Sequence, residues 1–317
     1  MAEAYVKFGK NLVLKEELLA PGHRACQGCG SAIIIRMALK VLGKNTVVGV
    51  PAGCWSGVGS MYPDTAWGVP WMQTLFQNTS AVMTGIAEAY SILMEKGRMP
   101  ERKINSVAIA GDGSTNDIGV AALSGALERG HDFVYICMDN EAYMNTGIQR
   151  SSATPYGAAT TTSPAGKLIP GQVTWKKDMP AIVAAHDIPY VATACPSYPF
   201  DLMNKVRKAA DVKGPGYVHV LSPCPTGWRF PPEQTIEIGK LAVETAMFPI
   251  YEVENGQWRL NVEPRQLKPV EEYLKAQGRF RHLTDDQVEK IQEHLNRKWA
   301  ELKHRIACQQ EEVAQAA

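Results

Sequence analysis

Apolar positions along this chain fall into two alternating kinds of stretch. Short unbroken runs read as buried strands: residues 46–50, Val107-Ala108-Ile109-Ala110, Phe133-Val134-Tyr135-Ile136-Cys137-Met138, residues 190–194 and Tyr217-Val218-His219-Val220-Leu221. Between them, residues 31–42, 78–96, 118–129, 181–185 and 202–210 carry apolar side chains at helical spacing. This alternation predicts an α/β fold, a parallel sheet covered by helices on both faces. Residues 151–176 break the pattern with a polar stretch rich in Thr, Ser, Gly and Pro. A loop of that length points to function.

Beyond Trp228 the character changes, which divides the chain into a main domain, 1–228, and a C-terminal extension, 229–317, lying on it. The last helix opens on Thr284-Asp285-Asp286-Gln287, the pattern of a capping box. Val288, Ile291, Leu295, Trp299, Leu302 and Ile306 follow as a narrow apolar stripe. It suits docking either on its own domain or on a partner chain. No internal repeat is visible.

The chemistry lies at the ends of two of these strands. The run 107–110 leads into Gly111-Asp112-Gly113-Ser114-Thr115-Asn116-Asp117, and 133–138 leads into Asp139-Asn140-Glu141-Ala142-Tyr143-Met144-Asn145. With a helix between them, the two strands should be parallel neighbours joined by a right-handed crossover. Asp112 and Asn140 would then stand side by side at the carboxyl edge of the sheet, where open α/β sheets bind ligands. A carboxylate, an amide oxygen and a nearby backbone carbonyl form half a shell of hard oxygens, which Mg²⁺ completes with phosphate and water. Gly111 and Gly113 leave room for phosphate to approach, and a helix starting near Asp117 would add its N-terminal dipole. Gly-Asp-Gly alone is an ordinary strand-to-helix turn; the matching second strand end is what makes it informative.

Composition narrows the picture. The 317 residues are 45% hydrophobic with a formal charge of +1, enough for one large α/β domain or two small ones. So balanced a charge offers no long-range attraction for nucleic acid or an anionic membrane. Apolar runs are too short to span a bilayer, and the charged start of the chain lacks the apolar core of a secretory signal. A cytoplasmic protein is expected. Seven cysteines is an odd count, which argues against a disulfide framework.

Four of those cysteines lie at element ends. Cys26 and Cys29 form a CxxC hemmed by glycines before the first helix, Cys54 follows a strand, and Cys224 ends another between two prolines. Although distant in sequence they can converge, and four thiolates suit Zn²⁺ or an iron–sulfur cluster, while CxxC alone also fits a redox dithiol. Cys137 and Cys195 lie within apolar runs and read as packing residues. Cys308 has no evident partner.

The string from Gly111-Asp112-Gly113 to Asp139-Asn140 resembles the thiamine-diphosphate motif. The longer DNEAYMNTGIQRSSATPYGA resembles the β subunits of pyruvate:ferredoxin-type 2-oxoacid oxidoreductases. The likeness extends to GHRACQGCG near the start, YPDTAWGVPW in the middle and PVEEYLKAQGRFRHL near the end, and so covers nearly the whole chain. It implies a thiamine-diphosphate-binding fold in which Asp112, Asn140 and the carbonyl of Ala142 hold Mg²⁺. Gly111, Gly113 and Ser114 would lie at the diphosphate, and Asn145, Thr146 and Asn116 at the reacting centre. It further implies a [4Fe–4S] cluster on Cys26, Cys29, Cys54 and Cys224 that drains electrons one at a time. The acyl group would pass to coenzyme A or to water.

The resemblance also implies partners. The carboxylate that activates the aminopyrimidine comes from another subunit in this family, and no ferredoxin-like CxxCxxCxxxC run occurs here. Other subunits and ferredoxin are therefore expected, and His23 and Arg24 are candidate cofactor or substrate contacts. Two readings compete: a cluster-free thiamine-dependent decarboxylase or carboligase, and a non-catalytic metal-binding assembly subunit.

Three places depart from the pyruvate enzymes. Phe76-Gln77-Asn78-Thr79-Ser80 stands where Phe-Glu-Asn-Ala-Ala is usual, Asn116 replaces Ala or Tyr, and Trp55 follows the cluster cysteine. Loss of a negative charge at Gln77 would favour a more anionic or more polar substrate such as oxalate. That leaves two substrates open, oxalate or a short 2-oxoacid such as pyruvate, either cleaved oxidatively to CO₂.

Overall fold

A computed structural model describes Gly9 and residues 15–61, 63–166 and 168–316, the side chains of 312–316 excepted. Most of the charged N-terminal stretch read for a secretory signal lies outside the described residues. Eight strands form one sheet: β1 (Thr46–Pro51), β2 (Trp71–Thr74), β3 (Asn105–Gly111), β4 (Val134–Asp139), β5 (Tyr190–Ala194), β6 (Gly216–Leu221), β7 (Ile250–Glu254) and β8 (Gln257–Val262). Their order is β2-β1-β3-β4-β6-β5-β7-β8. The neighbours from β2 to β5 pair in parallel, and β7 and β8 pair antiparallel at one edge.

Alternation along the strands divides the interior between the two faces. Val107 and Ile109 of β3 join one core with α1 (Gly30–Leu42) and α6 (Pro199–Asp211), and the short α2 (Cys54–Val58) adds Trp55. Ala108 and Ala110 join the opposite core with α3 (Thr79–Glu95), α4 (Val120–Glu128) and α5 (Met179–Ala184). Helices therefore cover both faces, as the periodicity predicts. A third core joins Leu221 and Trp228 to α8 (Thr235–Glu244), α9 (Val270–Lys275) and α10 (Asp285–Ala316). Trp228 belongs to α7 (Pro225–Trp228).

The sequence pattern missed β2 and α2, and beyond β6 also α7, α8, α9, β7 and β8. β2 has only four residues, Trp-Met-Gln-Thr, with no apolar run to mark it, and α2 has five. The segment read as an extension supplies β7 and β8 to the same sheet, so the sheet is mixed. On β8 the polar and apolar residues alternate in exposure, as on an edge strand with one covered face. The helix after β3 also begins differently. Gly113–Ile118 forms a π-helical turn, closed by Gly119 N donating to Ser114 O at 2.9 Å, and α4 follows. Such turns concentrate at functional sites.

At the start of α10, Thr284 N donates to Gln287 Oε1 at 3.1 Å, one half of the expected capping box. Ile291 and Leu295 are buried in the third core and Leu302 packs on the second, so the stripe docks on its own domain. Among the described residues no helix is long and apolar enough to cross a membrane.

Candidate active site

β3 and β4 are parallel neighbours, with Gly111 opposite Met138. The chain leaving them therefore brings Asp112 and Asn140 together, as the strand–helix–strand pattern predicts. Asp112 is fully buried, and Ser151 Oγ donates to its Oδ2 at 2.5 Å. One terminal atom of the Asn140 amide lies 3.0 Å from Asp112 Oδ1 and 2.7 Å from Ala142 O. With nitrogen at that position the amide donates to both; with oxygen there, three oxygens face one another.

Burial, and then the nearby Asp139 carboxylate, push the Asp112 carboxyl well above the usual range, with the Ser151 hydrogen bond and Lys176 pulling back. Asp139 goes the other way. Burial opposes its charge too, but Lys176 and His219 outweigh burial and hold it at about 2. Two buried carboxyls therefore lie close together, and Asp139 alone has an ammonium, that of Lys176, in contact with it.

A cavity of ≈ 300 Å³ opens at this strand edge. Asp112, Asn140, Ala142, Asn145, Thr146 and Cys54 all line it, and Gly111, Gly113 and Ser114 complete the Gly-Asp-Gly side. A Cβ on Gly113 would lie 2.4 Å from Tyr143 Cε1, so a residue without one is required there for packing. Tyr143 in turn donates to Asp117 Oδ2 at 2.8 Å, pinning the π-helical turn to the second motif.

The four element-end cysteines converge beside this cavity. Gly30 N donates to Pro223 O at 3.1 Å, and a Cβ at Gly30 would stand 2.8 Å from that oxygen, so the CxxC loop lies flush against the residue preceding Cys224. Ser31 and Ser222 hydroxyls meet at 2.8 Å directly alongside. The thiols feel one another: burial, then Cys224, Cys29 and Cys26, push Cys54 up to about 12. Burial, and less strongly Cys29 and Cys26, take Cys224 to about 11 against a hydrogen bond from Gly227 N. All seven cysteines are free thiols. Among the described residues no three His, Cys, Asp or Glu side chains converge tightly enough for a single metal ion.

Residues 52–220 match the family described as thiamine pyrophosphate enzyme, C-terminal TPP binding domain. Pyruvate synthase subunit PorB of Methanocaldococcus jannaschii is 58% identical over 285 residues, 90% of this chain and 96% of that one. The subunit of the same name from Thermotoga maritima is 48% identical, covering 91% and 92%. The chain belongs to the β-subunit family of thiamine-dependent 2-oxoacid:ferredoxin oxidoreductases. Ketoisovalerate oxidoreductase subunit VorB of Pyrococcus abyssi, 47% identical over 91% of this chain and 93% of its own, lies in the same family. A 2-oxoglutarate:ferredoxin oxidoreductase from Magnetococcus marinus shares the fold at a TM-score of 0.54 and 20% identity, over 73% of this chain and 79% of that one.

In this β-subunit chain Gly111, Asp112, Gly113, Ser114, Asn140, Ala142, Asn145, Thr146 and Cys54 belong to the lining of this cavity, whereas Cys26, Cys29 and Cys224 lie outside it. Asn116 is absent from the lining as well: its side chain is fully buried, with neither amide atom hydrogen-bonded. Gln77 is exposed and also outside the lining, whereas its neighbour Phe76 is part of it. His23 packs edge-on against Trp55 at 5.5 Å, and Arg24 N donates to Val58 O at 2.9 Å. Sequence reasoning missed Ser151, Glu141, Lys176 and Arg279, which surround the motif turn. A polar loop of 26 residues, 151–176, was the one signal pointing towards two of them.

Proposed function

We propose that this chain is the cofactor-carrying β subunit of an oxidoreductase that cleaves pyruvate or a closely similar short 2-oxoacid. It would use thiamine diphosphate with Mg²⁺ and pass electrons through a [4Fe–4S] cluster to ferredoxin. One observation carries the reading: the oxygen set of Asp112, Asn140 and Ala142 and the thiol of Cys54 line the same cavity.

The oxygen set fits Mg²⁺. Adjacent ligands of an octahedral Mg²⁺ stand about 2.9 Å apart, and the Asn140 amide lies 3.0 and 2.7 Å from its two neighbours. A cation there would also supply the counter-charge that buried Asp112 lacks. Four thiolates suit either zinc or a cluster, and it is the resemblance to ferredoxin-linked oxidoreductases that points to the cluster.

Thiamine diphosphate, when bound, supplies the carbanion chemistry and the electron sink for decarboxylation. The chain's own residues orient and enclose. Asp112, Asn140 and the Ala142 carbonyl hold the metal, Gly111, Gly113 and Ser114 bound the diphosphate end, and Asn145 and Thr146 stand exposed at the rim. Val50, Phe76, Ile109, Met138 and Met144 give the cavity apolar walls that exclude water.

Those walls suit an acid with a methyl group. Gln77, which motivated oxalate, lies outside them, so pyruvate is the better reading. All assigned residues fall within 1–228, and 229–317 braces that part. The family's need for a carboxylate from another subunit makes partner chains obligatory, with coenzyme A as acyl acceptor. An odd cysteine count with four residues assigned to a cluster fits a reducing cytoplasm.

The test is acceptor reduction by the assembled complex, purified anaerobically. Viologen reduction with pyruvate and coenzyme A, by brown protein that bleaches on reduction, is expected. Reduction with oxalate but not pyruvate would overturn the substrate. A colourless active protein would favour the cluster-free decarboxylase.

A further inference from the structure

Glu141 sits between two proposed metal ligands, yet its side chain turns into the protein. It is 2% exposed, and its backbone is left-handed, with φ 67°. An L residue other than Gly, Asn or Asp adopts that conformation only where its surroundings enforce it.

Here they do. Lys176 Nζ donates to Glu141 Oε1 at 2.7 Å, and an Arg279 guanidinium nitrogen donates to Oε2 at 2.6 Å. Lys176 also contacts Asp139 Oδ2 at 2.5 Å, while Asp139 Oδ1 accepts from Glu141 N at 3.0 Å. Thr154 Oγ1 donates to Glu141 O at 2.7 Å, and Trp228 Nε1 donates to Asn140 O at 2.8 Å. The Arg279 guanidinium stacks 4.0 Å from the Trp228 ring, and its Nε donates to Gln277 Oε1 at 2.9 Å.

Inward-facing polar groups of residues 139–141 are therefore anchored by the loop 151–176 and by the C-terminal part. The Asn140 side chain and the Ala142 carbonyl face the cavity. A carboxylate gripped at both oxygens by two cations resists rotation and translation of the backbone that carries it.

We propose that Glu141, clamped by Lys176 and Arg279, is a positioning residue that fixes the spacing of the Asn140 and Ala142 oxygens and so makes the cation site selective for Mg²⁺ over Ca²⁺. Mg²⁺ demands near-ideal octahedral geometry at short range, whereas Ca²⁺ accepts longer bonds and variable coordination. A rigid turn discriminates between them; a loosened one does not. The inference rests on the Mg²⁺ reading above.

The experiment is thiamine diphosphate binding by the cofactor-depleted assembled complex, measured by equilibrium dialysis while Mg²⁺ or Ca²⁺ is titrated. Glu141→Gln should raise the half-saturating Mg²⁺ concentration about tenfold or more. The Ca²⁺ value should move far less, so the Mg²⁺/Ca²⁺ preference shrinks. Arg279→Lys, which keeps the charge but loses the planar fork, should shift the preference in the same direction, and it serves alone if Glu141→Gln does not assemble. An unchanged preference, or equal losses for both ions, overturns the proposal. Asp112→Ala is the reference: retention of metal-dependent binding there would mean that the Mg²⁺ reading itself is wrong.

Discussion

Trp228 Nε1 donates to the Asn140 carbonyl oxygen across 2.8 Å, joining the helical turn after β6 to the motif that follows β4. Trp228 is fully buried, so the bond has no water to replace it. Trp228→Phe keeps most of the ring under Arg279 but leaves that carbonyl unpaired. The cost should be about 1–3 kcal/mol of stability, read from urea unfolding, together with weaker cofactor retention.

Asp112→Ala should abolish retention of thiamine diphosphate and Mg²⁺ while the fold persists. Alanine removes a buried carboxyl that burial already disfavours in its charged form, so the apo chain has little to lose. Thiamine and magnesium analysis of the purified complex checks this; wild-type contents in the variant would refute the assignment.

Serine replacements at Cys26, Cys29, Cys54 and Cys224 should each lower iron content. Cys308→Ser should not, since Cys308 lies on α10 beside His304. Cys195→Ser should leave iron unchanged as well, because that thiol is fully buried against the Gly239 carbonyl. Iron and acid-labile sulfide assays on the anaerobic protein decide each case.

Lys205 on α6 is 2% exposed, with Nζ 2.8 Å from Thr193 O and 2.9 Å from Asp201 Oδ2. Burial lowers it to about 8 from the ordinary 10.5, against the pull of Asp201. A folded value below the unfolded one means that folding releases this proton between those limits. The contribution to stability is therefore complete above about 10.5 and is lost as pH falls through about 8. Denaturant midpoints should rise over that window in the wild type, and Lys205→Met should lack this part of the rise.

Much of the site was legible because its residues fall where the hydrophobic pattern changes. Asp112 and Asn140 each follow an apolar run whose parallel pairing the intervening helix dictates, so adjacency follows from the chain. The cysteines were legible as element ends, though it takes the backbone contact of Gly30 with Pro223 to bring the CxxC loop to Cys224. What stayed hidden depends on long-range packing. Ser151, Lys176 and Arg279 reach the motif from a loop without period and from the C-terminal part, and no local spacing encodes those contacts. Gln77 and Asn116 show the converse: proximity in sequence to a motif did not turn their side chains into the cavity. β7 and β8 were overlooked because the buried Glu252 interrupts the apolar run of β7 and polar residues alternate along β8.

Arg279 comes 138 residues after the Glu141 it holds. During synthesis the N-terminal part emerges first, and both strand ends proposed to hold Mg²⁺ are complete while Arg279 is still unmade. The turn that carries Asn140 and Ala142 thus lacks its second clamp until residue 279 has left the ribosome. Chains ending before residue 279 should therefore bind the proposed Mg²⁺ more weakly than longer ones.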